Sequence, residues 1–220
     1  MNRATLSKRI TSILADLNRL TNALYAMNTT DIQRYPDNYE VLSTDAALRA
    51  ESITCRLRHL IYSTTNVKKE EYLTSAAAMQ GISIQEKRGV LEITLPCLLP
   101  KRKQRQSTEY LLDPFTAAMS QYAKSHPMPL LQHCVICFSH VYCQDLPQRR
   151  VRDYDNLELK QFLDVAASFI LTDDSGLLCD AYNTTELGET DCTRIFIMDS
   201  GYFSTWLKER EKVLDSIMDL

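Results

Sequence analysis

The stretch from Arg149 to Asp174, RRVRDYDNLELKQFLDVAASFILTDD, decides the fold. Its middle carries apolar residues at helical spacing, which predicts an amphipathic helix with one buried face. That inner face consists of Leu159, Phe162, Leu163, Ala166, Ala167 and Ile170. The triplet Asp153-Tyr154-Asp155 precedes the helix and the pair Asp173-Asp174 follows it, and we expect Asp155 or Asn156 to cap its first turn.

Segments with strand-like composition lie before and after this helix. They alternate apolar and polar residues or are rich in β-branched and aromatic residues. In chain order they are Ile82–Ile84, Val90–Leu95, Cys134–Tyr142, Leu177–Tyr182 and Thr193–Met198. A turn at Lys87-Arg88-Gly89 joins the first two, which predicts a hairpin or the entry to a strand, and we expect a loop containing Gly188 to join the last two. A further helix is predicted over Thr108–Ser125, with Pro114 as a potential break in its first turn.

The N-terminal part is dominated by helical patterns, because apolar residues recur at alternating steps of three and four. The first seam consists of Leu6, Ile10, Ile13, Leu17, Leu20 and Leu24. The second, in a helix capped by Ser43 or Thr44, consists of Ala46, Ala50, Ile53, Leu57 and Leu60. The polar segment Asn28–Asn38, which contains Pro36, is expected to be a loop, so the two seams predict an antiparallel helical hairpin or a dimerising coiled coil. A third helix is expected over Lys68–Gln80, ended by Gly81.

The charge of the chain argues both for and against nucleic-acid binding. A formal net charge of −3 disfavours binding by bulk charge, because neutralisation of phosphates supplies much of the affinity for DNA. Basic residues nevertheless cluster in two places, and we assign them as candidate nucleic-acid contacts. They are Lys101, Arg102, Lys103 and Arg105 in one loop, and Arg149, Arg150 and Arg152 in another. The alternative for each cluster is a solvated loop.

The cysteines and the apolar segments bear on the expected cellular location of the protein. Seven cysteines, an odd number, lie mostly within apolar stretches, and the polar, basic first nine residues are not followed by the apolar segment of a secretory signal. We therefore expect reduced thiols and a cytoplasmic location. The longest apolar run, Val165–Leu171, is broken by Ser168 and is too short to span a membrane.

The run His133-Cys134-x-x-Cys137-x-x-His140 is a candidate zinc site, because it spaces histidines and cysteines closely. Zinc knuckles need a tight turn between their cysteines, whereas Val135-Ile136 lies between these two. On a strand, Cys134 and Cys137 would point to opposite faces. A core strand is therefore favoured over a zinc site.

The aspartates around the central helix favour a harder cation. Convergent carboxylates repel one another unless a cation neutralises them, and a small set of oxygen ligands without histidine or cysteine suits Mg²⁺ or Mn²⁺. The alternative is that these aspartates are ordinary caps and turn residues.

The same residues carry a resemblance to a known family. The run Arg149-Arg150-Val151-Arg152-Asp153-Tyr154-Asp155-Asn156, the helix after it and Thr172-Asp173-Asp174-Ser175 resemble the corresponding segment of RusA-type Holliday junction resolvases. Upstream, Ile93-Thr94-Leu95-Pro96 and the basic loop after Pro100 follow the family's order of elements. Downstream, the resemblance implies that Leu177–Tyr182 and Thr193–Met198 form the family's closing hairpin. The likeness covers residues 90–198, about half of the chain.

The resemblance implies a fold and a division into domains. The implied fold class is α+β, a RusA-like mixed β-sheet with two packed helices, preceded by the N-terminal helical hairpin and followed by a C-terminal helix over about Phe203–Ile217. We divide the chain into a helical region (residues 1–81), the RusA-like domain (82–199) and the C-terminal helix (200–220).

The resemblance also implies an activity: hydrolysis of phosphodiester bonds in branched DNA by a homodimer that requires Mg²⁺ or Mn²⁺. The implied metal ligands are Asp153, Asp155 and Asp174. The family's catalytic lysine falls four residues after the second aspartate, where this chain has Leu159, and Lys160 follows one residue later. Either one residue is inserted before the helix or Lys160 is not equivalent. The spacing between Lys160 and Asp164 favours the insertion, so the resemblance assigns Lys160 as a catalytic residue beside the three aspartates. The alternative function is a non-enzymatic accessory protein that binds DNA or protein on the same scaffold.

Overall fold

A computed structural model describes residues 2–102, 108–128, 130–146, 151–171 and 176–218, with side chains as far as residue 210. Within these ranges the chain forms six α-helices and five β-strands, which confirms the α+β class. The helices are α1 (Arg3–Thr29), α2 (Pro36–Thr64), α3 (Lys69–Gln80), α4 (Glu109–Ser125), α5 (Lys160–Ile170) and α6 (Ser200–Met218). The strands are β1 (Ser83–Lys87), β2 (Val90–Leu95), β3 (Cys134–Cys143), β4 (Cys179–Gly188) and β5 (Cys192–Asp199).

The five strands form one mixed sheet in the order β1-β2-β5-β3-β4. Only β3 and β4 run parallel; the other neighbours are antiparallel. The expected closing hairpin of β4 and β5 is wrong, because β3 lies between them. The physical reason is burial: β5 carries Ile195, Ile197 and Met198, all buried, and suits the middle of the sheet, whereas much of β4 is exposed and suits an edge. Gly188 is the last residue of β4 and does not lie in the loop.

The two sheet faces are covered by different helices. On one face, Val90, Val135 and Met198 pack against Phe203 and Trp206 of α6. On the other, Ile170 of α5 lines a small cavity together with Leu91 of β2 and Ile197 of β5. The rings of Phe115 in α4 and Phe162 in α5 stack with centroids 5.8 Å apart, and both side chains are fully buried. Strand β3 in the inner part of the sheet is therefore buried on both sides, which accounts for its largely apolar sequence.

Local signals in the middle of the chain produce the predicted structures. Gly81, with φ of +79°, ends α3, and Arg88 and Gly89 both have positive φ in the tight turn between β1 and β2. Two successive residues with positive φ are typical of the hairpin turn that matches the twist of antiparallel strands. This hairpin was predicted from the alternation on either side of the turn, and it is confirmed.

The chain comprises two compact units: Met1–Tyr72 with Gln106–Leu111, and Leu73–Arg105 with Leu112–Leu220. The first boundary falls inside α3, and the first unit also takes in the start of α4.

In the first unit, α1 and α2 pack along one another with a short connection, and their shared interior contains Ile13, Ala23, Ala46 and Ile53. The predicted start of the second helix at Ser43 or Thr44 is wrong, because α2 begins at Pro36. Proline is favoured in the first turn of a helix, where its missing N–H has no helical partner to lose.

Pro114 does not break α4, contrary to the expectation. Proline supplies no N–H to the carbonyl group four residues earlier, which here belongs to Tyr110. The buried guanidinium group of Arg58 donates to the Tyr110 carbonyl at 3.2 Å and to the Glu109 carbonyl at 3.4 Å. A side chain from α2 thus compensates at the point where the helix lacks its own donor.

Within the described ranges, no helix carries an apolar stretch long enough to cross a bilayer.

Candidate metal and nucleic-acid site

The segment between β3 and α5 carries the two described aspartates of the predicted site. Residues Tyr154–Asn156 form a single 3₁₀ turn that follows Asp153 directly. The prediction that Asp155 or Asn156 caps the helix is wrong, because α5 begins later, at Lys160. The cause lies in the residue between the two elements: Leu157 is buried and forms an isolated β-bridge with Lys101, which holds the backbone extended before the helix starts.

This bridge places the basic loop beside the aspartates, although the two segments are about fifty residues apart in sequence. The N–H group of Glu158 donates to the carbonyl oxygen of Pro100 at 2.9 Å. The Nη1 atom of Arg152 donates to the carbonyl oxygen of Leu99 at 3.5 Å. Lys101 is thereby held next to the turn that carries Asp153 and Asp155 by backbone contacts, which are independent of the charges on the side chains.

The two segments enclose an open cavity of about 660 Å³. Its described lining consists of Lys101, Arg102, Val151, Arg152, Asp153, Asp155 and Asn156. Both aspartates are exposed, and within the described ranges neither takes part in an ion pair. The cavity therefore combines carboxylate oxygens, which suit a hard divalent cation, with cationic groups, which suit phosphate oxygens.

Tyr154, the residue between the two aspartates, anchors the turn to the sheet. Its hydroxyl group lies 3.0 Å from the Oγ1 atom of Thr185 in β4, and its ring is tilted against that of His140 in β3, with centroids 5.6 Å apart. Two residues earlier, the N–H group of Arg152 donates to the hydroxyl group of Tyr142 at 3.1 Å. Sequence reasoning missed these anchors, because they depend on which residues β3 and β4 place side by side.

His140 and the cysteines of β3 are core residues. His140 is fully buried, and burial lowers the pKa of its imidazole, although a contact with the Oδ1 atom of Asn183 at 3.4 Å opposes this. Burial raises the pKa of the Cys134 and Cys137 thiols to about 12. A thiol must lose its proton to bind zinc, so these groups are poor ligands. The preference for a core strand over a zinc site agrees with this burial.

Lys160 occupies the first position of α5, and its exposed ammonium group is bound by Asp164. The Nζ atom lies 2.8 Å from Oδ1 and 3.0 Å from Oδ2 of that carboxylate, one helical turn away. The described lining of the cavity does not include it. Lys160 and Asp164 therefore contact each other across one helical turn, whereas the equivalence of Lys160 to the family's lysine stays a prediction.

Several predicted site residues lie outside the described ranges: Asp174, Lys103, Arg105, Arg149 and Arg150. Among the described residues, no group of three or more histidine, cysteine, aspartate or glutamate side chains is arranged to hold a metal ion. Asp153 and Asp155 form a pair only, so the predicted metal centre depends on Asp174 as its third ligand.

The described residues on either side of Asp174 lie near the beginning of β3. Leu171 forms a bridge with Leu131, and Cys179 pairs with Cys134. Tyr154 contacts Thr185, which pairs with His140 further along the same strand. The described neighbours of Asp174 and the anchor of Tyr154 therefore lie at different positions along β3.

The comparisons with known proteins bear on the whole chain. One family model matches residues 2–220, and it is described as a family of unknown function, DUF6100. The chain belongs to this family. The match includes both the helical hairpin and the sheet, so the two units belong to one family pattern. No curated protein and no solved structure matches the chain.

Proposed function

We propose that this protein is a Mg²⁺-dependent endonuclease that hydrolyses phosphodiester bonds in branched DNA, on a RusA-like α+β fold. The observation that supports the proposal best is the cavity in which Lys101, Arg102 and Arg152 lie beside Asp153 and Asp155. Nucleases that use divalent cations need this pairing of carboxylates with phosphate-binding cations. The resemblance of the aspartate segment supplies the reaction class.

The aspartates would hold the cation. Asp153 and Asp155 present exposed carboxylates from one short turn, and Asp174 would complete the ligand set. When bound, Mg²⁺ or Mn²⁺ supplies Lewis acidity toward a phosphate oxygen and lowers the pKa of a coordinated water. The contribution of the chain is to fix the carboxylates, and Tyr154 does so through its contact with Thr185.

The cationic residues would bind the scissile strand. Arg152 is half-buried and oriented by the Leu99 carbonyl, so its guanidinium group is suited to a fixed contact with one phosphate. Lys101 and Arg102 are exposed and would follow the strand as it leaves the cavity. Such contacts fix the position of DNA without reading its sequence. Lys103, Arg105, Arg149 and Arg150 would extend this surface. Lys160 would stabilise negative charge in the transition state if its ammonium group leaves Asp164.

A four-way junction has two equivalent strands to cut, so a two-fold homodimer would present one site to each. We propose this assembly for the active form, located in the cytoplasm.

The experiment that tests the proposal compares four proteins on a synthetic four-way junction in Mg²⁺. They are the wild type, Asp155→Asn, Asp174→Asn and the control Asp180→Asn, whose exposed side chain lies on β4. We expect the wild type and the control to cut, and the two site variants to lose at least about a thousandfold in rate, because each removes a charged ligand.

Two outcomes contradict the proposal. Equal cleavage by the wild type and both site variants would show that the activity belongs to another site or to a contaminant. Absence of cleavage by the wild type across Mg²⁺, Mn²⁺ and several junction sequences would remove the enzymatic function.

An accessory protein without enzymatic activity is the second candidate, and the position of Lys160 favours it. That ammonium group is bound by both oxygens of Asp164. Binding of Mn²⁺ without cleavage, or binding of junction DNA without metal dependence, would support this second function.

A further inference from the structure

Helix α1 carries a second apolar stripe that α2 does not cover. Of the six residues of the predicted first seam, only Ile13 is buried. Ala23, which is not part of that seam but lies on the same side of the helix, is also buried. Ile10, Leu14, Leu17 and Leu24 are each more than a third exposed, and Tyr25 beside them is 70% exposed. Steps of four, three and seven residues from Ile10 to Leu24 align these four side chains along one side of the helix, over a length of about 21 Å.

We propose that this stripe, defined by Ile10, Leu14, Leu17, Leu24 and Tyr25, is a self-association surface on which α1 of a second copy of this chain packs antiparallel. The heptad spacing fits a helical partner, because side chains that repeat in this way interlock with another helix at a shallow angle.

The polar residues around the stripe allow two identical surfaces to contact each other. The stripe is bordered by uncharged side chains: Ser7, Thr11, Asn18, Thr21 and Asn22. Two copies of such a surface meet without repulsion between like charges, which is the requirement for a two-fold contact.

The charges at the ends of α1 select the antiparallel orientation. Arg3 lies in line with the stripe at the N-terminus, with Lys8 and Arg9 in the same part of the helix, and there is no acidic residue in the first turn. A parallel pair would bring these cations together. An antiparallel pair instead brings Arg3 toward the C-terminal end of the partner helix, where the carbonyl groups carry partial negative charge.

The exposed area is sufficient for association. The exposed fractions of the five side chains correspond to roughly 500 Å² of surface per copy, so a pair would bury about 1,000 Å² plus its polar border, near the lower limit for specific interfaces. The contact would therefore be specific but reversible, and it does not depend on the proposed nuclease activity.

Sedimentation equilibrium of the full chain, over a wide range of concentration, tests the proposal. We expect the wild type to dimerise and the double variant Leu14→Glu/Leu24→Glu to associate at least about tenfold more weakly. The control is Val41→Glu, an exposed apolar residue of α2 outside the stripe, which should dimerise as the wild type does. Circular dichroism should show unchanged helix content in all three, because the substituted positions are exposed.

A charge pair tests the orientation and remains informative if the double variant misfolds. Antiparallel packing about Leu17 places position 10 opposite position 24, so Ile10→Lys and Leu24→Glu should each weaken association, and their mixture should restore it. A monomeric wild type at all concentrations, or association that the stripe variants leave unchanged, would overturn the proposal. Association that the mixture does not restore would overturn the antiparallel arrangement.

Discussion

The hydroxyl group of Tyr154 lies 3.0 Å from the Oγ1 atom of Thr185, and this contact joins the aspartate turn to the edge strand of the sheet. Tyr154 stands between Asp153 and Asp155 in the sequence, so whatever fixes its ring also fixes the backbone from which both carboxylates extend. The two aspartates are therefore positioned by the fold before any ligand binds.

Removal of the Tyr154 hydroxyl should weaken metal binding without unfolding the protein. One hydrogen bond contributes about 1 kcal/mol, so Tyr154→Phe should bind Mn²⁺ roughly fivefold more weakly in calorimetric titration. Thr185→Val should produce the same loss. Because the two groups form one contact, the double variant should lose no more than either single variant. Losses that add in the double variant would contradict the anchoring role.

The ion pair of Arg210 and Glu186 should hold α6 against the sheet. Arg210 contacts Glu186, the Thr184 hydroxyl at 2.5 Å and the Ser139 hydroxyl at 3.3 Å, and both charged side chains are mostly buried. Glu186→Gln leaves a buried guanidinium group without its counter-charge and should lower the free energy of unfolding by about 3 kcal/mol at neutral pH. The control Glu209→Gln removes an exposed carboxylate that lies 3.6 Å from Arg88 and should cost less than about 1 kcal/mol.

The same pair predicts a dependence on pH. Burial raises the pKa of Glu186, but hydrogen bonds from Ser139 and Arg210 outweigh it and hold the pKa below its usual range. A carboxylate with a lowered folded-state pKa stabilises the protein above its unfolded-state pKa and loses this contribution as the pH falls through the folded value. The stability difference between wild type and Glu186→Gln should therefore shrink in acid. A difference that is constant with pH would contradict the charged pair.

Cys137 and Cys134 should resist alkylation in the folded protein. Both thiols are buried, and burial raises their pKa to about 12, so little thiolate is present at mildly alkaline pH. Iodoacetamide labelling followed by mass spectrometry should modify half-buried cysteines such as Cys143 first. Cys134 and Cys137 should label only after denaturation. Fast labelling of Cys137 in the native protein would show that β3 is not buried in the core.

Arg58 should be an important stabilising residue of the helical unit. It donates to the carbonyl groups of Glu109 and Tyr110, the latter at the position where Pro114 supplies no N–H. Arg58→Met keeps the apolar stem but removes the donor to a half-buried carbonyl group, at a cost of roughly 2 kcal/mol in urea unfolding. Arg49→Met, which removes a partner of Asp45 on the surface of the same helix, is the control and should cost less than about 1 kcal/mol. Equal losses in the two variants would contradict the role of Arg58 as the donor to the Tyr110 carbonyl group.

Features set by neighbouring residues could be predicted from the sequence. The β1–β2 hairpin and the end of α3 depend on Arg88, Gly89 and Gly81, whose backbone conformations are local properties. Strand β3 could also be predicted, because a strand buried on both faces is mostly apolar, and only Ser139 and His140 interrupt the apolar run.

Features that depend on distant residues could not be predicted. The position of β5 between β2 and β3 follows from burial in the assembled sheet. The glycine near the end of β4 is a local signal, and it wrongly suggested that β4 and β5 are neighbours. The start of α5 at Lys160 depends on the bridge of Leu157 with Lys101, more than fifty residues earlier. The same bridge brings the basic loop to the aspartates, and no spacing in the sequence encodes it.

A crystal structure of the full chain with Mn²⁺ is the decisive experiment for the proposal that Asp153, Asp155 and Asp174 share one divalent cation. We expect an anomalous scattering peak with carboxylate oxygens of all three residues at about 2.0–2.6 Å, the range of distances for hard cations. A well-ordered Asp174 whose carboxylate lies too far from Asp155 for one ion to join them, with no peak between them, would contradict it.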